Sequence, residues 1–482
     1  MSYAISKGYQ IHPDAFAMLK GLEADVLKTI QDIIKQKKTK SVILVEDIRK
    51  VVRPDDVTLD SPAQQDTKII MDSSPNVNTG EGVDGYAFLF KSRFEKTVKI
   101  LAQRPDSKRI SKISMVKQHV RNGNVQAGEK SRDNGAGRYI VAGLLMSRRS
   151  KKNGIDLEVD DYTGLMTATA MSEDVRKQVS ALALDQVVMM EIEPAKAGPG
   201  LIIKNVYSPD IPEHLPVKSK SEVYAVLISD LHVGSKYFME KEFLQFLDWL
   251  SMTDDDVVRK IKFLCIGGDI IDGIGIFPNQ DKELLELDAA SQMAHVTRLL
   301  AKIPKHIKTF IIPGNHDPGR RALPQPAFPL KDSGGIYGLE NCTMLGNPAM
   351  VELNGVKILM YHGQSLDDVI ATTPGLSYSK PAEAMKVLLK ARHLSPNYGG
   401  RTPMAPESED MMVISEVPDI LHSGHVHVLD IDQYRGTLVV NSGAWQAQTK
   451  FQQTMGIMPT PGIATVVNLA TMQPFLQDFN GQ

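Results

Sequence analysis

Apolar residues from Pro13 to Lys38 recur at helical spacing, with Phe16, Leu19, Leu22, Val26, Leu27, Ile30, Ile33 and Ile34 on one broad face. Gly21 is placed to split this run in two, and Ser41 to Val45 reads as a short strand, so residues 1–52 are expected to form a small, mostly helical module. Residues 53–136 read as a linker. Arg53 to Gly85 is rich in Asp, Ser, Pro, Asn and Gly with little periodicity, a composition that predicts disorder, and Arg121 to Gly137 is again polar and glycine-rich. One helical segment interrupts the linker near 86–104, through Phe88, Phe90, Phe94, Val98, Ile100 and Leu101.

Between 137 and 210 the period changes. Five short alternating runs, YIVAGLLMSRRS, IDLEVDDYTG, LMTATA, QVVMMEIEP and LIIKNVYSP, are each bounded by Gly, Asp, Asn or Pro, with a helix-compatible stretch, Ser172 to Ala183, between the third and fourth. That is the order of an OB-fold β-barrel, with Asp160-Asp161-x-Thr163-Gly164 as the turn of its second hairpin. Such barrels bind single strands or dock proteins, and no pair of aromatics marks a stacking platform here. From 222 to 482 buried β-branched runs alternate with helical ones: VYAVLISD, helix Glu240 to Met252, KFLCIGGD, helix Glu283 to Leu300, KTFIIPGNHD, TMLGN, KILMYHG, DILHSGH and LVVNSG. This is the pattern of an α/β layered domain with its site at the carboxyl ends of strands.

Composition changes this picture little. The chain has 482 residues, enough for two or three domains, and no apolar run approaches the length needed to cross a membrane. The start, MSYAISKGYQ, lacks the basic and apolar regions of a secretory signal, so a cytoplasmic location is expected. Cys265 and Cys342 are too few for a disulfide scaffold or a cysteine-rich zinc site, and neither is assigned chemistry. A net charge of −2 does not announce a nucleic-acid binder, although Lys108 with Arg109, and Arg148, Arg149, Lys151 and Lys152, form local basic clusters. Solvated faces or loops are the preferred reading of such clusters.

Chemistry concentrates in five motifs, each directly after an apolar run: Asp230-x-His232, Gly268-Asp269-x-x-Asp272, Gly314-Asn315-His316-Asp317, Tyr361-His362-Gly363 and Gly424-His425-x-His427. Residues two apart at a strand end point to one side, so Asp230 and His232 can share a cation. An Asp after glycines is ordinarily a turn residue, and a lone His such as His362 is ordinarily a hydrogen-bonded core residue. Carboxylates, an amide and imidazoles delivered by five successive strand ends are hard to explain as turn chemistry alone.

This order of motifs, from Asp230 to His427, resembles the calcineurin-like metallophosphoesterase superfamily, whose fold is a β-sandwich flanked by helices. The resemblance implies one divalent ion held by Asp230, His232, Asp269 and His427, and a second by Asp269, Asn315, His362 and His425. It also implies His316 as the catalytic histidine beside Asp269, Asp272 and Asp317 as residues orienting the ligands, and no site for an organic cofactor. Mixed nitrogen and oxygen ligation suits Mn2+, with Fe or Zn as alternatives. Two such ions, about 3.5 to 4 Å apart, activate water for in-line attack on a phosphate ester.

The longer strings SDLHVGSKYF, GGDIIDGIGIFPNQ, PGNHDPGR, YHGQSLDD and GHVHV resemble more narrowly the small-subunit family of archaeal family D DNA polymerases. The upstream helical and barrel regions sit where that family has them. The resemblance implies a 3′-5′ proofreading exonuclease, a large catalytic polymerase subunit as partner, and primer-template or single-stranded DNA as substrate. Two rivals are a non-catalytic polymerase scaffold and a hydrolase of small phosphodiesters or phosphoproteins. Two further segments carry weaker expectations. QPFLQDF (Gln473 to Phe479) has the spacing of a sliding-clamp peptide, against the simpler reading of a terminal strand. Leu394 to Pro406, with Asn397, Tyr398 and Arg401, is expected to be a loop near the site.

Overall fold

The computed structural model describes residues 9–12, 15, 26–36, 42–43, 47, 65–104, 110–121, 137–195 and 200–481. The chain divides into two units, Met1–Gln65 and Asp66–Gln482, each described by itself. In the first, helix Val26–Gln36 buries Ile30 and Ile33 of the expected face together with Thr29, whereas Leu27 of that face is exposed. Gln10–Ile11 pairs in parallel with Val42–Ile43. The proposed break at Gly21, most of the rest of 1–52, and residues 53–64 lie outside the described residues.

The second unit contains a closed five-stranded barrel and two six-stranded sheets. Its elements are labelled in chain order: β1 (Thr67–Asp72), α1 (Gly82–Leu101), α2 (Ile113–Arg121), β2 (Tyr139–Lys151), β3 (Gly154–Asp160), β4 (Leu165–Ala170), α3 (Glu173–Ser180), β5 (Val187–Pro194) and β6 (Leu201–Tyr207). There follow β7 (Tyr224–Ile228), α4 (Glu240–Leu250), α5 (Asp256–Arg259), β8 (Ile261–Ile266), α6 (Ala289–Leu300), β9 (Lys308–Ile311), α7 (Leu330–Tyr337), β10 (Cys342–Met344), β11 (Ala349–Leu353) and β12 (Val356–Met360). The last are α8 (Leu366–Thr372), α9 (Pro381–Ala391), β13 (Ile420–Ser423), β14 (Asp430–Tyr434), β15 (Thr437–Asn441), α10 (Lys450–Met455), β16 (Ile463–Asn468) and β17 (Gln473–Asp478).

The barrel closes in the order β2-β3-β4-β6-β5, with α3 between its third and fourth strands. Period-two patterning drives it: in β4, Met166, Ala168 and Ala170 are buried while Leu165 and Thr167 face out. Ser172 starts α3 by accepting the Val175 N–H, which satisfies one of the helix's free donors. Asp161, in the expected hairpin turn, accepts from the Thr163 N–H and also from the Ile113 N–H at the start of α2, a helix the sequence reading did not foresee. Of the basic clusters, Lys108 and Arg109 lie outside the described residues. Arg148 donates to the carbonyls of Val179, Ser180 and Leu182 beyond α3 and to that of Thr372, so it ties the barrel to the sheet region. Arg149 and Lys151 pair with Glu158 and Asp156 on the neighbouring strand.

One sheet runs β10-β9-β8-β7-β16-β17, with its first four strands parallel; the other runs β14-β15-β13-β12-β11-β1. One finding corrects the reading of the linker, and another bears out the simpler reading of the tail. Residues 66–85, assigned by composition to a disordered linker, contribute β1, which pairs antiparallel with β11 at the edge of the second sheet. Polar composition misled because an edge strand has one ladder side and little apolar burial. QPFLQDF is a terminal strand: β17 pairs antiparallel with β16, and Phe479 is buried against Phe246, Trp249 and Trp445.

Helix α1 starts four residues earlier than the segment read from sequence and joins barrel to sheets. Phe90, Phe94, Val98 and Leu101 pack with Leu144, Val187 and Met189 of the barrel, while Leu89 enters the core under the second sheet. Between these, Arg93 is 1% exposed; it donates to the Asp410 carboxylate at 2.9 Å and to the carbonyls of Asp185 and Pro396. His393 completes the network through Nε2 at 2.9 Å from Asp410. A buried ion pair that loses one partner leaves an uncompensated charge, at a cost of about 3–5 kcal/mol. Arg93→Ala is therefore expected to lower the unfolding free energy by about that much, read from urea denaturation followed by circular dichroism.

Candidate functional site

The five motifs converge at one place where strand ends of both sheets meet. The strand argument for Asp230 and His232 needs correction. β7 ends at Ile228, and both residues adopt left-handed backbone, with φ of 56° and 52°. Asp269, His425 and His427 do the same, at 51°, 69° and 62°. Such conformations cost roughly 1–3 kcal/mol each for residues with a Cβ and persist only where surrounding bonds over-determine them. Those bonds are visible. The Asp230 N–H donates to the Gly268 carbonyl and the His232 N–H to the Asp269 carbonyl, so the two motif loops hold each other. The Asp230 carboxylate accepts the His425 N–H at 3.0 Å and the Ser229 hydroxyl.

The motif glycines serve close approach. A Cβ on Gly314 would lie 2.1 Å from Asp269 Oδ1, and one on Gly268 would lie 2.7 Å from His362 Nδ1. Both distances are impossible, so only glycine lets the loops close around the Asp269 carboxylate. Asp317 accepts backbone N–H bonds from Ile270, Ile271 and Gly314. It therefore holds two loops rather than a ligand side chain, whereas Asp272 Oδ1 faces His232 Nδ1 at 3.0 Å.

Donor atoms gather in three groups among the described residues, the third sharing one residue with each of the other two. Asp230, His232 and His427 form one, and Asp269, His362 and His425 a second, each with ligand atoms within 4.8 Å of one another. His316 joins His232 and Asp269 in a third such group. Asn315 Oδ1 lies 3.0 Å from His362 Nε2 and 2.9 Å from His425 Nδ1. The proton positions are informative. His362 Nδ1 lies 2.8 Å from the Gly267 carbonyl, which can only accept, so Nδ1 carries the hydrogen. In the neutral ring Nε2 is then a lone pair, yet it faces Asn315 Oδ1 and, at 3.3 Å, Asp269 Oδ2. His232 repeats the pattern: Nδ1 is committed to Asp272, and Nε2 points at His427 Nε2, 3.1 Å away, and at the Asp269 carboxylate. At His362 a lone pair facing oxygen lone pairs needs a proton or a cation between them, whereas His427, whose Nδ1 accepts from Gln452, presents its Nε2–H to His232; the donor set fits divalent cations.

Without one, protons take that place. Burial opposes charge on both rings, but the Asp272 hydrogen bond and then Asp269 raise His232 to about 9, and Asp269 and Asp230 raise His362 to about 9. Burial likewise opposes ionisation of Asp269, yet His362, His316 and His232 hold its carboxyl well below the usual range. Burial pushes His316 and His427 down. Burial and the Asp269 charge push Asp317 up to about 7.

The family profile for the B subunits of DNA polymerases alpha and epsilon matches residues 225–427, from β7 to His427. The chain is 38% identical over 456 residues to the DNA polymerase II small subunit of Pyrococcus furiosus, covering 90% of this chain and 72% of that protein. It is 37% identical over 414 residues to the same subunit of Archaeoglobus fulgidus, covering 84% and 78%. The chain belongs to the archaeal DNA polymerase II small-subunit family. Against the Pyrococcus abyssi member, 40% identical over 423 residues, it spans 66% of that protein's length.

Four residues of this family member's site escaped sequence reasoning. Gln446 and Gln280 donate to the Asp272 carboxylate, at 3.0 and 2.9 Å, and Gln452 Nε2 lies 2.8 Å from His427 Nδ1. Asp367 Oδ2 is 3.4 Å from His425 Nε2, and His425, Tyr378 and Arg401 hold its carboxyl low against burial. The glutamines stand in segments without a motif, and an acidic residue in the first turn of α8 already has a helix-dipole explanation. The 394–406 loop does reach the site through Arg401, while Tyr398 packs on Tyr86 and Phe90 of α1. No described helix is long and apolar enough to cross a membrane.

His422, three residues before His425, is fully buried, and burial lowers it from 6.5 to about 3; burial and Arg93 lower His393 to about 4. Both are neutral when folded and titrate freely when unfolded. Their full stabilising contribution is present above pH 6.5 and is lost as pH falls toward the folded values. Between pH 6.5 and 5 each should remove about 1.4 kcal/mol per pH unit, and His422→Gln should flatten the decline measured by urea denaturation.

Proposed function

We propose that this chain is the 3′-5′ exonuclease of a heteromeric archaeal replicative DNA polymerase, and that it hydrolyses DNA phosphodiesters with two divalent cations, Mn2+ first among them. The reading treats the two six-stranded sheets as a calcineurin-like phosphoesterase sandwich and the barrel as an OB-fold. One observation carries it: the inward nitrogens of His232 and His362, their other nitrogens already committed, converge with carboxylate and amide oxygens on positions that a proton or a divalent cation must fill. A scaffold subunit has no reason to gather such groups, because burying ionisable side chains costs stability.

Asp230, His232, Asp269 and His427 would hold one cation, and Asp269, Asn315, His362 and His425 the other. The chemistry such cations supply when bound is polarisation of the phosphoryl oxygens and a lowered pKa for the attacking water. Asp272 fixes the tautomer of His232, and the Gly267 carbonyl that of His362. His316 is oriented by Nδ1, 2.7 Å from the Asp272 carbonyl, which leaves Nε2 as the atom that exchanges a proton with the leaving oxygen. The relatives' name, DNA polymerase II small subunit, supports a large catalytic polymerase subunit as partner and a primer-template as substrate.

With a 5′-labelled primer-template and Mn2+, the complex should remove a mismatched 3′ nucleotide faster than a paired one. Asp269→Asn should abolish the reaction and His316→Ala should lower kcat about 10²–10⁴-fold, while both variants still co-purify with the large subunit. Wild-type digestion by Asp269→Asn would sink the assignment. Because His232 and His362 titrate near 9 in the metal-free protein, Mn2+ must displace their protons. Apparent affinity should therefore rise from pH 7 to about 9, with proton release measured by calorimetry in two buffers of different ionisation enthalpy.

A further inference from the structure

The cleft over the donor cluster, about 190 Å³, is lined not only by Asp269, His316 and His425 but also by Phe277 and Phe451. Phe451 is 63% exposed and Phe277 36%, and exposing aromatic rings at the mouth of a polar cleft has no folding benefit. Each ring is nevertheless held in place. Phe451 stands in the first turn of α10, where Thr449 and Gln452 form a reciprocal capping box. The same Gln452 reaches His427. Phe277 lies in the loop after Asp272. There the Gln280 amide donates to the Asp272 carbonyl and carboxylate, its oxygen accepts the Ile276 N–H, and its own N–H donates to the Phe277 carbonyl. One glutamine therefore ties each ring's segment to a residue of the donor cluster.

We infer that Phe277 and Phe451 form a stacking clamp for the base of the unpaired 3′-terminal nucleotide. The inference rests on the phosphodiesterase reading above, and adds that the site selects an unstacked end. A nucleobase is the favoured occupant because the rings share one cleft with the proposed reaction centre, and the base next to a scissile phosphate must lie within one nucleotide of it. The cleft is also small beside the roughly 300–1,000 Å³ of drug-sized ligand pockets, so it takes one nucleotide-sized group. A base still stacked in a duplex offers no free face to a ring, so a frayed or mismatched end is preferred over a paired one.

The test uses the full chain, with Ca2+ in place of Mn2+, and an oligodeoxynucleotide whose 3′-terminal base is 2-aminopurine, either single-stranded or paired in a duplex. Wild type should quench the single-stranded probe and bind it more tightly than the duplex. Phe277→Ala and Phe451→Ala should each weaken single-strand binding about 10-fold and lose the quench, while Phe451→Trp retains both. Unaltered melting temperatures show that the variants fold. Unchanged quenching and affinity in the double alanine variant would overturn the clamp. Wild-type hydrolysis of bis(p-nitrophenyl) phosphate with Mn2+, which needs no base, scores the underlying reading separately. Its presence without a quench sinks the clamp alone, and its absence together with no digestion of DNA sinks the reading.

Discussion

A carboxylate buried where both sheets end is the constraint to which the other features of this unit answer. Asp269 has almost no contact with solvent, and an isolated ionised carboxylate in that position is prohibitively costly. It is tolerated because His316 donates its backbone N–H, His362 comes to 3.3 Å and His232 to 3.8 Å. Those imidazoles are in turn held by Asp272 and by the Gly267 carbonyl. Charge neutralisation and geometry are thus one requirement: the groups that make the anion tolerable are those that surround it with donors.

Meeting that requirement strains the backbone. Five of the converging residues lie at positive φ, and the motif glycines Gly268, Gly314, Gly363 and Gly424 leave no room for a Cβ. The strain is sustained by cores on either side of the site. Phe243, Phe246 and Trp445 pack under the first sheet, and Met385, Leu388 and Leu389 of α9 under the second. Backbone bonds between the loops, such as Asp230 to Gly268 and His232 to Asp269, pass the rigidity of the sheets to the side chains. Helix α1 extends the same logic, since Arg93 locks its middle to the sheet region while its aromatic residues seat the barrel.

Much of this was legible from sequence because strand-end motifs combine two independent signals. A β-branched run announces a strand, and the polar residues directly after it announce what that strand presents; five such junctions placed Asp230, His232, Asp269, Asn315, His362, His425 and His427 correctly in one cluster. The barrel was legible for a related reason, because period-two alternation in β4 and turn residues such as Asp161 are local properties. What escaped was non-local. β1 sits at a sheet edge, where burial is too slight to impose a pattern, and Gln280, Gln446 and Gln452 gain their meaning only from what they touch.

The sequence by itself determined which polar residues follow the strands and the order of strands and helices that delivers them, since residue type and periodicity are written in the chain. Only the tertiary structure decided how those residues meet. Asp230 and His232 come together through left-handed loops rather than strand alternation, Asp317 accepts backbone N–H groups from two loops, and Phe479 packs in the core beside Trp445. The physical reason is common to all three. Conformation at a crowded junction is set by contacts between segments far apart in the chain, and those contacts override the local preference that a sequence pattern records.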